Sequence, residues 1–480
     1  MDIISDLTEL ITEIFDAAAE FHEDLTRLDA LETRLTKAGT SFVAKSLGKI
    51  LEDADLFIME APHRKDLYNI QRKIARCLIS CAGDVYYERT QVLNKVDGTY
   101  HFLLDEMMKL PPDEHFTEGA EARILQDAAE ASYSKAAERI STENQTVSKV
   151  TVMNKVHEIL EELPLEEPAE KRCCSHLYIE ADEDHIHRQD GGKELRGACI
   201  QGKLVYVFEG KESVREGRKE LVNPFFFGGR YAGPEENARL WERVQEYILK
   251  NYDQSALKRV YISGDGGSWI RTGTDHIAKS VFVADRFHLM KYINAAARQM
   301  LDDGDEVKGK IYKYIYKNKP GKLRKLFRRM KKSASGLDPV IACESFLENN
   351  WEAIRRAFTD KKVLGCSAEG HVSHIYSDRM SSRPMAWSET GADRMCRLRC
   401  FIKSYGTSKV IDLVKARRER KQREHLPTGT DGIVISRETV RPKYTKAQLE
   451  TAAYAERLYA ELSSTLTRKQ ISIRLHKSLW

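Results

Sequence analysis

The 480-residue chain has no run of about 18 apolar residues, which excludes a helical membrane span. Its first residues, MDIISDLTELITEIF, are acidic and amphipathic with no basic n-region, so they do not form a secretory signal. The nine cysteines are Cys77, Cys81, Cys173, Cys174, Cys199, Cys343, Cys366, Cys396 and Cys400. They are odd in number, scattered and without paired C-x-x-C knuckles, which argues against a disulfide scaffold. Ordinary thiols explain them better than a zinc site from Cys173, Cys174 and His176, or from Cys396 and Cys400. These absences point to a reducing cytoplasm. An excess of one charge is missing too. With 77 basic against 73 acidic residues and a net charge of +4, charge acts here through its distribution. At 41% hydrophobic and 31% charged, the chain is an ordinary folded protein rather than a disordered one.

What is present centres on RVYISGDGGSWIRTGTDHIAKSVFVADRFHLMKY, residues 259–292. Two short β-branched and aromatic runs, at 260–262 and 281–283, are each followed closely by an aspartate, Asp265 and Asp285. Such runs, broken by Gly264-Asp265-Gly266-Gly267, predict buried parallel strands with a helix between them. Ligands of open α/β sheets sit at carboxyl ends of strands, where both aspartates stand. No glycine loop leading to Lys-Ser/Thr accompanies them, so a carboxylate there suits a divalent metal better than a nucleotide.

Upstream, apolar residues at helical spacing (Leu7, Leu10, Ile14, then Leu47, Ile50, Phe57) predict two or three helices over residues 2–70. Strand-like runs flank Asp97-Gly98, a hairpin signal. A helix near 134–140, a polar break at 141–144 and a helix over about 148–160 form a helix-turn-helix candidate, beside the plainer reading of an ordinary helical pair. In its second helix Val150, Val152, Val156 and Leu160 are the positions to bury, leaving Lys149, Thr151, Asn154 and Lys155 for a groove or for phosphates. The acidic, proline-containing stretch 161–172 reads as a linker. Strands at 177–188, 197–209 and 221–228, then a helix over about 234–252, precede the central stretch. Three antiparallel strands, helix, strand, helix, strand, helix is the order of the ribonuclease-H-like fold. Beyond it, twelve of residues 308–332 are Lys or Arg, with aromatics interleaved. No acid lies within the run to neutralise it, which favours a polyanion partner over a merely solvated face. A helix over 341–357 and a second basic run, 415–423, follow.

The chemistry expected of this order needs acids from distant elements: Asp182 on the first strand, Asp265 after the fourth, and Glu369 on a late helix. Asp184 and Glu183 compete for the first position, and Glu389 is the reserve for the last. Paired divalent ions held by carboxylates activate an attacking hydroxyl and stabilise a leaving oxygen in phosphodiester chemistry.

The blocks IEADEDHIHRQ, FEGKESVREGRKELVNPFFFGGRYAG, YISGDGGSWI, ADRFHLMKYI and SAEGHVSHIYSDRMSSRPMAWS, spread over about residues 85–400, resemble the transposases of the ISLre insertion-sequence group. More remotely, Asp285-x-x-His288 is similar to the C/D-x-x-H signature of the Mutator-like superfamily, and Glu369-Gly370 to Ile375 resembles an E-G-x-N-x-x-I block of related bacterial transposases. In place of the Asn after the glutamate, this chain carries Val372 and Ser373. The resemblance implies an α/β protein with a ribonuclease-H-like core (a mixed five-stranded sheet), an α-helical insertion and a mainly α N-terminal DNA-binding region. It implies a DDE transposase that cuts and joins DNA, with two Mg²⁺ (or Mn²⁺) ions held by Asp182, Asp265 and Glu369, and Asp184, Asp285 and His288 as accessory groups. Its partners would be terminal inverted repeats and target DNA, engaged by a homo-oligomer in the cytoplasm at the nucleoid, with no membrane. Lys149, Asn154, Lys155, Lys322, Arg324, Lys325, Arg328, Arg383 and Trp387 are the expected DNA contacts, with Trp387 either stacking on an extruded base or simply packed in the core. The expected domains are 1–75 (helical), 76–112 (β-hairpin), 113–165 (helix-turn-helix), 174–435 (catalytic, with the basic insertion at about 300–362) and 440–480 (helical tail). A ribonuclease-H-superfamily nuclease and a non-catalytic DNA-binding regulator are the alternatives. A metal-dependent enzyme acting on small phosphates fits the basic runs poorly.

Overall fold

The computed structural model describes residues 4–160, 162–190, 193–216, 218–382 and 385–425. The expected tail over 440–480 lies outside them. The chain divides into two units: the described parts of Met1–Glu121, Ile140–Thr146 and Lys415–Trp480, and Ala122–Arg139 with Val147–Val414. Residues 113–165, expected as a domain of their own, are split between the two.

In the first unit, helices Ile4–Glu23 and Leu28–Glu60 pack on each other, and the second also packs on a sheet of β1 (Tyr68–Ser80), β2 (Gly83–Asn94) and β3 (Tyr100–His101). The buried Asp55 ties helix to sheet, its carboxylate accepting from Thr90 N and Oγ1 at 3.1 and 2.5 Å. The hairpin differs from expectation. Its tight turn falls between Ser80 and Gly83, closed by Ser80 Oγ donating to Gly83 O (2.8 Å), and Gly83 takes a φ of +113° that glycine permits. Strand β1 begins at Tyr68, inside the stretch expected to be helical, and Asp97-Gly98 only joins β2 to the two-residue β3. The basic run 415–423 is partly structural. Arg417 and Arg418 are buried and bond Glu114 (2.8 Å) and Glu121 (3.1 Å) respectively, because a buried guanidinium needs a carboxylate partner.

The second unit is α/β. Its five-stranded mixed sheet runs β10-β9-β4-β5-β8: β4 (His176–Asp190), β5 (Lys193–Phe208), β8 (Phe225–Arg230), β9 (Arg259–Gly264) and β10 (Ser280–Ala284). Strands β4, β5 and β8 form an antiparallel meander, and β9 and β10 run parallel to β4. The stretch 221–228 is not one strand. Asn223 (φ +49°) and Pro224 break it, so β7 (Arg218–Val222) pairs with β6 (Gly210–Arg215) in a separate ribbon, and the chain rejoins the main sheet at Phe225. Helix Gly233–Asn251 follows β8, its Leu240, Trp241, Val244 and Ile248 buried at helical spacing. After β10 come helices Arg286–Ala297, Gly304–Tyr316, Pro320–Ser333, Asp338–Asn349 and Trp351–Thr359, so the single helix expected over 341–357 is two, joined at Asn350.

Strand alternation sets which face carries chemistry. Leu177, Ile179 and Ala181 of β4 and Val260 and Ile262 of β9 point into the main core with Trp241, Ile270 and Leu289. The opposite face carries Tyr178, Tyr261, Val281 and Val283, where the rings of Tyr178 and Tyr261 stack at 5.6 Å.

Candidate active site

Strand pairing brings three of the expected acids to one level. Strands β4 and β9 are in register up to Glu180↔Ser263; Asp182 stands two residues further along β4, and Asp265 follows the last residue of β9, near enough for its charge to act on Asp182. Strand β10 matches β9 at Ala284↔Gly264, which sets Asp285 beside Asp265 in turn. Asp182 keeps the parity of Tyr178 within β4, the side turned away from the main core, while Asp265 and Asp285 each follow the last residue of their strand. Close approach is needed here: a Cβ on Gly264 would meet the Ala181 carbonyl at 2.8 Å.

Each aspartate commits one oxygen locally. Asp182 Oδ1 accepts from Glu183 N (2.9 Å), Asp265 Oδ1 from Gly267 N (2.8 Å), and Asp285 Oδ1 caps the next helix by accepting from Phe287 N (2.9 Å). His288, one turn into that helix, stands with Nε2 4.0 Å from Asp285 Oδ2. Glu369 lies exposed on the short helix Ala368–Val372, which packs on β4 and runs into a π-helical turn at Ser373–Ser377.

Electrostatics couple these groups. Burial pushes Asp182 up from 3.8 to about 6; the Glu183 N–H and His288 pull the other way, and the charges of Asp265 and Glu369 add to the rise. Asp285 is also raised, first by burial, with Glu180 and Glu369 contributing. Acids that repel one another in a half-buried site are what a divalent cation would relieve, and an all-carboxylate donor set suits Mg²⁺. The fit is in donor type and charge. Among the described residues, no three His, Cys, Asp or Glu side chains stand at metal-ligand spacing.

The competing acids are engaged elsewhere. Asp184 Oδ2 accepts from Ser377 Oγ (3.2 Å) and Ser381 Oγ (2.8 Å), tying β4 to the segment after Glu369. Glu183 follows the other strand parity and accepts from Gln201 (3.1 Å). Glu389, the reserve, is held by Arg188 (2.9 Å) and Arg230 (3.1 Å).

The family model described as "Uncharacterised protein family (UPF0236)" matches residues 22–418. The chain belongs to the UPF0236 family. Among its relatives, UPF0236 protein TTE2489 of Caldanaerobacter subterraneus subsp. tengcongensis is 34% identical over 409 residues, 84% of each chain. Another UPF0236 protein of that organism, 32% identical over 413 residues and covered to 85% on both sides, carries eleven locus names, from TTE0033 to TTE2212. A solved structure, "Drosophila P element transposase strand transfer complex", aligns over 67% of this chain and 87% of its own at 12% identity with a TM-score of 0.21, too low to support any conclusion.

The remaining expected contacts of this UPF0236 chain fall into three groups. Lys149 and Asn154 are exposed on helix Lys149–His157, and Lys155 is half-buried. That helix buries Val152 and Val156 and packs on helix Glu389–Tyr405, while Val150, expected inside, is 50% exposed because it lies on the opposite side. Lys322, Lys325 and Arg328 are exposed on helix Pro320–Ser333, whose Leu323, Leu326, Phe327 and Met330 face the core. Arg324 on the same helix pairs with Glu348 (3.1 Å), and Lys331 with Glu344 (2.5 Å), so folding supplies acids that the local sequence lacks. Trp387 does not stand free for a base. It is 6% exposed, donates to Met380 O (3.1 Å), and lies edge-on to Tyr133 and beneath Arg379. Arg383 lies outside the described residues. Among the described residues, no helix is long and apolar enough to cross a membrane.

Sequence reasoning missed Glu180. It is 2% exposed on the same face as Asp182, and its carboxylate accepts from Tyr206 Oη, Ser367 N (2.7 Å), Ser367 Oγ (2.9 Å) and Lys211 Nζ (2.9 Å). An acid inside the apolar run LYIEA was the available signal.

Proposed function

We propose that this protein is a DDE transposase of an insertion sequence, of the ISLre kind, with a ribonuclease-H-like core. The observation that carries the reading is the placing of Asp182 on β4 and of Asp265 and Asp285 just past the ends of the neighbouring parallel strands, with the Glu369 helix packed on β4 and Asp182 sensing both Asp265 and Glu369. The sheet order, with the acidic strand central, agrees with that fold. A relative present at eleven loci of one genome fits an element that multiplies.

Asp182, Asp265 and Glu369 would hold two Mg²⁺ or Mn²⁺ ions, which supply activation of the attacking oxygen and stabilisation of the leaving one. Asp285 caps the helix that carries His288 and fixes both at the edge of the site. Water first cleaves the phosphodiester at each element end; the freed 3′ hydroxyl then attacks a target phosphodiester, displacing a new 3′ hydroxyl. Lys322, Lys325 and Arg328 hold backbone phosphates, and Lys149, Asn154 and Lys155 contact the terminal repeats. The protein works as a homo-oligomer on DNA in the cytoplasm.

The test is Mn²⁺-dependent cleavage of labelled DNA carrying the element ends. Asp182→Asn, Asp265→Asn and Glu369→Gln should each abolish it, and wild-type activity in Asp265→Asn would refute the assignment. Pre-cleaved ends should be joined to target DNA; cutting without joining would make the protein a nuclease of the same superfamily.

A further inference from the structure

The residues before Glu369 are held to β4 by a buried polar cluster. Glu180, two residues ahead of Asp182, receives both the N–H and the hydroxyl of Ser367, two residues ahead of Glu369. Lys211, at the start of β6, bonds Glu180 (2.9 Å), Ser367 Oγ (2.9 Å) and the Gly365 carbonyl. Tyr206 of β5 donates to Glu180 and contacts His371 Nδ1 (3.1 Å), while that ring nitrogen also lies 2.9 Å from Ser367 O. One buried carboxylate, one ammonium and one phenol therefore hold both ends of the turn that launches helix Ala368–Val372. The Glu369 side chain itself makes none of these contacts.

We propose that Glu180 and Lys211 are positioning residues, a latch that holds the Glu369 helix on β4 so that Glu369 can share a cation with Asp182 and Asp265. The inference rests on the metal reading above. Two features separate the latch from ordinary packing. It spends a buried charge pair on a five-residue helix that buries only Ala368 and Val372. Its acid lies in the same strand as Asp182, so any slip of the helix is a slip relative to that strand.

The test titrates Mn²⁺ alone into the full chain by calorimetry and follows hydrogen–deuterium exchange over residues 365–372. Lys211→Met should weaken Mn²⁺ binding by about tenfold or more, as loss of an outer-shell partner does, and should speed exchange there. Lys211→Arg should recover most of the affinity. Tyr206→Phe, which removes a single donor, should shift both readouts in the same direction by less, and serves if Lys211→Met does not fold. Wild-type affinity in both Lys211→Met and Tyr206→Phe, with weakened affinity in Glu369→Gln, would overturn the latch alone. Unchanged affinity in Glu369→Gln would overturn the metal reading and the latch with it.

Discussion

Gly266 lies against Asn350: a Cβ on Gly266 would sit 3.1 Å from Asn350 Oδ1, and Gly266 holds a φ of +95°. Asn350 joins the last two helices of the insertion, is 6% exposed, and donates Nδ2 to Phe346 O (2.9 Å). The Asn350 side chain of the insertion is thus docked on the loop that carries Asp265, and the positive φ there favours glycine. Gly266→Ala should cost about 1–3 kcal/mol of stability and sharply reduce cleavage. Gly309→Ala, in helix Gly304–Tyr316 with nothing within 4 Å of the new methyl, should instead stabilise by about 0.5–1 kcal/mol. Urea denaturation of the two variants checks the opposite signs.

Asp182 carries a pH signature. Its folded pKa, raised from 3.8 to about 6 chiefly by burial, means that between those values the folded chain keeps a proton that the unfolded chain releases. Stability therefore falls as pH rises through that window, and above it the full cost of roughly 3 kcal/mol is present. In chelator, Asp182→Asn should raise stability at pH 8 by up to about 3 kcal/mol, with the gain fading below pH 6 and gone near pH 3.8. A gain that ignores pH would refute this account.

The exposed cations of helix Pro320–Ser333 should act on phosphates rather than bases. Replacing Lys322, Lys325 and Arg328 together by Ala should weaken binding to all DNA sequences alike. The slope of log K against log[salt] should become shallower by about 0.9 for each phosphate that the variant no longer neutralises. Filter binding at several salt concentrations measures it. Arg324→Ala should change the slope least, because Glu348 already neutralises that guanidinium.

Trp387 should behave as a core residue. Trp387→Ala should destabilise by about 3–5 kcal/mol in thermal melts, whereas Trp387→Phe should leave cleavage largely intact. A Phe variant that folds normally but fails only at cleavage would restore a direct role at the DNA.

Much of the sheet is legible in the sequence because short apolar runs ending in aspartate follow a local rule, and Asp265 and Asp285 sit where that rule sets them. The long hairpin is not, because Asp97-Gly98 is the stronger local signal, although the turn that folding uses is at Gly83. Strand 221–228 misleads because its apolar content hides the break at Asn223-Pro224. Between core and DNA for Trp387, and between free and paired for Arg324, the sequence could not choose, for one shared reason. Whether an aromatic or a cation is free depends on partners, here Tyr133 and Glu348, that lie far away along the chain.

By itself, the sequence determined the acids at the strand ends, the order of elements, and the basic insertion, since each depends on spacing between neighbours. Only the tertiary structure decided which acid serves what: Glu180 joined to Ser367 across 187 residues, Asp184 given to serines, Glu389 given to arginines. A carboxylate's role depends on what surrounds it once water is excluded, and those surroundings come from parts of the chain that meet only in the folded state.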